Sequence, residues 1–204
     1  YSNKLYGIKE HFSNFMKEKG KKIFTILVAL FILSIMVASV LNFGLPNNNQ
    51  EEQPALTYNS YDFYLTENGW MTEKNGKQII TRYNPKELEQ INIPEIQISS
   101  LKLAEKIYVS LDINKNDIMV AAGDLIRNLE LQNVVTSCPS NFPGCEDLPL
   151  KTCSDATDSI AIIQFNQAEI EIIQFEGNCL FIQAPLSKIN MITDKIIYQE
   201  FGIL

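Results

Sequence analysis

Residues 23–43 of this 204-residue chain read IFTILVALFILSIMVASVLNF, a run of 21 positions without a charged side chain. At a rise of about 1.5 Å per residue, a helix of this length crosses the roughly 30 Å hydrocarbon core of a bilayer. A helix that is apolar on every side suits lipid better than water. The sequence therefore predicts a single transmembrane helix that acts as a signal-anchor.

The charges on either side of the apolar run predict its orientation. Six lysines precede the run, with Lys21 and Lys22 next to it, and Glu51 and Glu52 follow it. Cationic flanks are retained on the cytoplasmic side of a membrane. We therefore expect a single-pass protein of the cell membrane, with its N-terminus in the cytoplasm and its C-terminal domain extracytoplasmic.

Charge and motifs narrow the range of partners for the outer domain. After residue 43 the chain has 11 basic and 22 acidic residues, a net charge of −11. Such a surface repels nucleic acid phosphates. The sequence also lacks the GxxxxGK[ST] and GxGxxG phosphate-binding loops. We expect neither nucleic acid nor a nucleotide as a partner, and we assign no cofactor.

Residues 1–22 form a basic segment with apolar residues at helical spacing, which predicts a cytoplasmic amphipathic arm. We expect Phe12, Phe15, Lys21 and Lys22 to lie at the membrane interface, as in helices that rest on a bilayer surface. A straight extension of the transmembrane helix is the alternative. Residues 44–57 are polar and rich in turn formers, which predicts a linker.

Two other readings of the apolar run remain. Small residues at Val37-Ala38-Ser39 match a secretory cleavage site, which would make the run a signal peptide. Lys19-Gly20 before an apolar helix is the pattern of a pilin-like processing site, although two lysines follow the glycine. The chain starts with Tyr1 and not Met.

Residues 58–204 are predicted to form one extracytoplasmic α/β domain with a mixed sheet, or an α+β variant of it. Period-two alternation punctuated by Asn68-Gly69 and Asn75-Gly76 predicts a three-stranded meander. Asn84 and Glu87 have the spacing of a capping box before a short helix. The expected strands are residues 58–66, 70–73 and 77–83.

The second half of the domain predicts a βαβ unit followed by a hairpin and a closing helix. Within the first helix, Asp124 and Arg127 are expected on the face away from the core. The expected strands are residues 106–113, 133–137, 159–165, 169–175 and 179–184, and the expected helices are residues 117–131 and 187–201.

The four cysteines all follow the apolar run, a distribution that favours disulfides in an oxidising compartment. Four cysteines allow three connectivities. We expect Cys138 to pair with Cys145 and Cys153 with Cys179. A zinc site is the alternative, but the chain has no CxxC pair.

Candidate catalytic groups outside the membrane are carboxylates, because the only histidine, His11, precedes the apolar run. Asp112 follows a predicted parallel strand, and Asp117 and Asp124 come soon after it, so a phosphate or metal site is conceivable there. The simpler reading makes Asp112 or Asn114 a helix cap. Around the cysteine loop a weak cation site is the most that the acids allow, namely Glu146, Asp147, Asp155 and Asp158.

Together these features predict a non-enzymatic accessory or scaffold subunit of a cell-envelope membrane protein complex, with the lipid bilayer and other membrane-protein subunits as partners. No catalytic or metal-ligating residue is assigned. The alternatives are a carboxylate-dependent envelope enzyme that uses Asp112, and a pilin-like filament subunit. Heavy use of Ile, Asn and Lys and the lack of N-glycosylation sequons favour a prokaryotic source.

Overall fold

The structure is a computed structural model that describes residues 26–39, 53–94, 96 and 98–204. The chain divides into two units, Tyr1–Glu51 and Glu52–Leu204. In the first unit, residues 26–39 form helix α1, in which every residue is exposed. Outside the described residues lie the predicted arm with His11, Phe12, Phe15, Lys21 and Lys22, both ends of the predicted transmembrane helix, and most of the linker.

The large apolar side chains of α1 are 41–66% exposed. No helix in the described ranges has both the length and the apolar character of a candidate membrane span.

The second unit contains two sheets and two helices within its described residues, so the whole is a mixed α/β fold with two sheets and three helices. The four-stranded sheet comprises β1 (Leu56–Tyr58), β2 (Tyr61–Thr66), β3 (Gly69–Lys74) and β4 (Lys77–Thr81). The five-stranded sheet comprises β5 (Lys106–Ser110), β6 (Val134–Ser137), β7 (Ile160–Gln167), β8 (Ile172–Glu176) and β9 (Cys179–Ala184). The helices are α2 (Asn116–Leu129) and α3 (Leu186–Glu200), with short 3-10 helices at Pro85–Leu88, Ser99–Leu103 and Cys153–Asp155.

The four-stranded sheet is an antiparallel meander with one strand more than predicted. Asn59 and Ser60 both adopt positive φ, 46° and 67°, and turn the chain between β1 and β2. The expectation of one strand over residues 58–66 is therefore wrong at its start. An Asn-Ser pair lacks the glycine that marks such turns in a sequence. The side chain of Asn59 donates to the Ile203 carbonyl at 3.0 Å, which holds this turn against the C-terminal residues.

Glycine is required where β3 begins. Gly69 has φ +122°, and a Cβ there would lie 2.2 Å from the carbonyl oxygen of Thr81. The predicted turn at Asn75-Gly76 is confirmed, and the capping box between Asn84 and Glu87 is present.

The five-stranded sheet has the order β6-β5-β7-β9-β8, with only β8 antiparallel to its neighbour. The predicted parallel pair β5 and β6 around α2, the β8–β9 hairpin and the closing helix are confirmed. This sheet is the predicted mixed sheet. The meander forms a separate sheet, because the segment from Arg82 to Glu105 leaves β4 and forms two short 3-10 helices before β5 begins.

Helices α2 and α3 pack side by side and join the two sheets. One continuous core extends from Phe63 and Ile79 of the meander, past the helices, to Ile107 and Ile163 of the five-stranded sheet. Each helix also has a polar pair four residues apart that reaches towards β4.

On α2 this pair is Asp124 and Asn128. The Asn128 amide accepts from the Ile80 N–H at 2.9 Å and donates to the Ile80 carbonyl at 2.8 Å, as a neighbouring strand would. Asp124 accepts from Arg82 Nε at 3.0 Å and from Arg127 Nη2 at 2.8 Å. The prediction that Asp124 lies on the exposed face is wrong, since it is only 6% exposed. Two guanidinium groups make its burial tolerable.

On α3 the pair is Asp194 and Tyr198. Asp194 Oδ2 accepts from the backbone N–H groups of Arg82 and Tyr83, at 2.8 and 2.9 Å. The Tyr198 hydroxyl donates to the Tyr83 carbonyl at 3.0 Å and contacts the hydroxyl of Thr81. We call the four side chains from the two helices, Asp124, Asn128, Asp194 and Tyr198, the polar clamp.

Replacing Asn128 by Ala is expected to lower the free energy of unfolding by about 2–3 kcal/mol, because the backbone N–H and carbonyl of Ile80 lose their partner. Gln78→Ala is the matched control, an exposed amide on the same strand, and should change stability by less than about 0.5 kcal/mol. Denaturation followed by the fluorescence of Trp70, the only tryptophan, measures both. Equal losses in the two variants would contradict this role of Asn128.

Burial raises the pKa of Asp194 to about 7, against an ordinary value of 3.8. Between these values the folded protein keeps a proton that the unfolded chain has lost, so stability should fall as the pH rises to about 7 and then level off. One such group contributes at most about 1.4 kcal/mol per pH unit. Asp194→Asn keeps an acceptor oxygen and removes the titration. Its free energy of unfolding should vary less with pH than that of the wild type, and identical pH profiles would refute the assignment.

Candidate binding cavity beside the second disulfide

The order of strands in the five-stranded sheet creates a switch point between β5 and β7. From β5 the chain passes through α2 to β6 on one side, whereas from β7 it passes to β8 and β9 on the other. Open α/β sheets bind ligands at the carboxyl ends of strands at such a point. Asp112, the acid highlighted by the sequence, lies just beyond the end of β5.

Asp112 stabilises a turn at this position. Its Oδ1 accepts from the backbone N–H of Asn114 at 2.9 Å, and the Asn114 side chain donates to the Pro143 carbonyl at 2.9 Å. Helix α2 begins after Lys115, with no capping side-chain bond, so the prediction that Asp112 or Asn114 caps the helix is wrong.

The structure does not assemble the predicted group of acids. Asp117 is exposed in the first turn of α2, whereas Asp124 belongs to the polar clamp.

The cysteine loop, residues 138–157, covers the switch point. Ser110 and Gln164 alternate with core residues of β5 and β7, so they lie on the sheet face turned away from the core. Ser110 Oγ donates to the Lys151 carbonyl, and Gln164 Oε1 accepts from the Cys153 N–H at 2.9 Å. The loop therefore lies across this face of the sheet, from the carboxyl end of β5 to the middle of β7.

Two disulfides fix this loop. Cys138 and Cys145 are paired with Cα atoms 6.1 Å apart, and Cys153 and Cys179 with Cα atoms 5.4 Å apart. Both are the pairs expected from the sequence. The zinc alternative is wrong, because the four sulfurs form two disulfides and cannot act as thiolate ligands. The second disulfide ties the loop to β9.

A cavity of about 460 Å³ lies beside the second disulfide, between the loop and the sheet. Phe181 of β9 lines it and is paired in register with Gln164 on β7 and Gln174 on β8. A phenyl ring thus stands between two amides in one row across three strands. The full lining is Thr152, Cys153, Ser154, Gln164, Gln174, Glu176, Cys179 and Phe181.

The acids around the loop stabilise turns. Asp155 accepts from the Thr152 N–H at 2.8 Å, and this hydrogen bond, more than nearby Lys151, lowers the pKa of Asp155. Glu146 accepts from the Gly144 N–H at 2.8 Å. Within the described ranges, no three His, Cys, Asp or Glu side chains come close enough together to hold a metal ion. Among the described residues, no such cluster supports the expected weak cation site at Glu146, Asp147, Asp155 and Asp158.

Comparison of the chain with protein-family models, curated proteins and solved structures finds no match to any of them. A function for the cavity therefore has to be inferred from the chemistry of the residues that line it. Sequence reasoning missed Gln164, Gln174 and Phe181, because each is ordinary within its strand. The one sequence feature that could have indicated the site is the spacing of Cys179 and Phe181. Two residues apart on one strand, their side chains lie on the same face of the sheet, so Phe181 lies on the face that carries the disulfide.

Removing the Cys153–Cys179 bridge by a double Ser substitution is expected to cost more stability than removing Cys138–Cys145. The bridges close separations of 26 and 7 residues, which corresponds to about 3.5 and about 2.5 kcal/mol in the chain-entropy treatment. Denaturant titrations of the two double variants measure the difference. The reverse order would contradict the idea that the second bridge is the main covalent restraint of the fold.

Proposed function

We propose that the chain is a single-pass membrane-anchored protein with a cytoplasmic N-terminus and an extracytoplasmic, disulfide-stabilised domain. The observation that carries the proposal is the apolar run at residues 23–43, whose described part is a helix exposed on every side. Lipid tails or neighbouring transmembrane helices would cover such a surface. Two disulfides in the second unit agree with an oxidising compartment.

Within this topology the domain acts as an accessory or scaffold subunit of a cell-envelope complex. The carboxylates most suited to chemistry have structural roles: Asp112 stabilises a turn, Asp155 caps one, and Asp194 holds the two residues that follow β4. This favours binding over catalysis. The alternative of a carboxylate-dependent enzyme loses support, because Asp112 accepts from the Asn114 N–H and, among the described residues, belongs to no group of three or more metal-ligating side chains.

The topology predicts which cysteine replacements react with a membrane-impermeant maleimide. Glu67 lies exposed in the turn between β2 and β3, so Glu67→Cys should be labelled on intact spheroplasts. Ser2→Cys should be labelled only after lysis, since it precedes the apolar run. The wild type is the control, because its four cysteines are paired. Labelling of Ser2→Cys in intact spheroplasts would overturn the orientation.

The subunit role predicts a defined assembly. After extraction of native membranes with mild detergent, native mass measurement should show this chain bound to other membrane-protein subunits in a fixed ratio. Disruption with strong detergent should release the 23.2 kDa chain and is the control for specificity. A lone monomer under the mild conditions would contradict the subunit role while leaving the membrane topology intact.

A further inference from the structure

The face of the five-stranded sheet that is turned away from the core, which we call the outer face, carries a group of amides around one phenyl ring. Leu180 and Ile182 point into the core, so Phe181 between them points to the outer face, where it is half-buried. Gln164 and Gln174 flank it on the neighbouring strands. On the same face the next row contains Asn166, Gln183 and Ile172.

One of these amides is held in a fixed orientation. Gln164 is 7% exposed, its Oε1 accepts from the Cys153 N–H at 2.9 Å, and its Nε2 donates to Asn166 Oδ1 at 3.3 Å. An amide nitrogen has two hydrogens, so the second N–H of Gln164 remains for a ligand as far as the described residues show. A donor that is already ordered loses little entropy when it binds.

The charges at the cavity select against anionic ligands. Glu176 is in its lining, and the chain after residue 43 has a net charge of −11, so phosphates and other anions are repelled. Quaternary ammonium ligands are recognised by cages of several aromatic rings, whereas Phe181 is the only ring in the lining. Apart from Glu176, the polar side chains of the lining are uncharged amides and hydroxyls, which favours a neutral ligand, and the test below includes a cationic probe that decides between the two classes.

Amides and a phenyl face suit a sugar. Hydroxyl groups both donate and accept hydrogen bonds, and so do primary amides. The C–H face of a sugar ring is apolar and fits against the negative face of a phenyl ring. A cavity of about 460 Å³ also lies within the size range of small-molecule sites.

We propose that the cavity beside the Cys153–Cys179 disulfide binds a neutral carbohydrate, with one sugar ring stacked on Phe181 and its hydroxyls bonded to Gln164 and Gln174. This binding activity goes beyond the accessory role above and does not depend on it. An anchored domain with such a site would hold the membrane near a glycan.

The test uses the full chain in lipid nanodiscs, because maltoside detergents would themselves offer a sugar. Chitotriose, cellotriose and maltotriose are the neutral probes, and the fully deacetylated form of chitotriose is a cationic probe of the same backbone. Saturation-transfer NMR detects binding, and a titration gives Kd. At least one neutral trisaccharide is expected to bind, more tightly than the cationic trimer.

Matched variants locate the site. Phe181→Leu keeps the apolar volume but loses the ring, and Gln174→Ala removes an exposed amide that the fold does not need. Each should weaken binding by about tenfold, the effect of one lost stacking or hydrogen-bonding contact. Gln78→Ala on the meander should leave Kd unchanged, and the fluorescence of Trp70 checks that all variants are folded. Absence of binding by all three neutral probes, tighter binding of the cationic trimer, or an unchanged Kd in Gln174→Ala would overturn the proposal.

Discussion

The domain depends on how the free edge of β4 is satisfied. This strand ends the meander against the helices, and the partly buried N–H and carbonyl groups along its edge and in the two residues after it need partners there. The amide of Asn128 pairs with Ile80 of β4, and the carboxylate of Asp194 accepts from Arg82 and Tyr83 just after the strand, so the two side chains act in place of a further strand. Because these two side chains belong to different helices, the same hydrogen bonds that finish the sheet also position α2 against α3.

The packing of α2 and α3 leaves one face of the five-stranded sheet to be covered by other parts of the chain. Helices α2 and α3 pack between the meander and one face of the five-stranded sheet, so neither of these two helices covers the other face of that sheet. The cysteine loop takes that place, held by Ser110 and Gln164 and by the bond from Cys153 to Cys179. The loop covers only part of this face and leaves the cavity next to Phe181 between itself and the sheet.

Local patterns were sufficient for most elements and for the presence of disulfides, although four cysteines left three pairings open. The apolar spacing of α2, the β8–β9 hairpin and the even cysteine count each depend on residues close in sequence or on simple counting. The polar clamp could not be predicted from local patterns, because Asp194 and Arg82 are 112 positions apart in the sequence. In addition, a polar residue in an amphipathic helix ordinarily indicates the exposed face. The amides beside Phe181 acquire meaning only once the strand register is known.

Hydrogen exchange of the full chain in lipid nanodiscs tests the polar clamp most directly. If side chains of α2 and α3 complete the edge of β4 and of the two residues that follow it, the amides of Ile80, Arg82 and Tyr83 should exchange as slowly as those in the centre of the five-stranded sheet, such as Ile163. Exchange of these three amides at the rate of an open strand edge, with Ile163 still protected, would contradict the account.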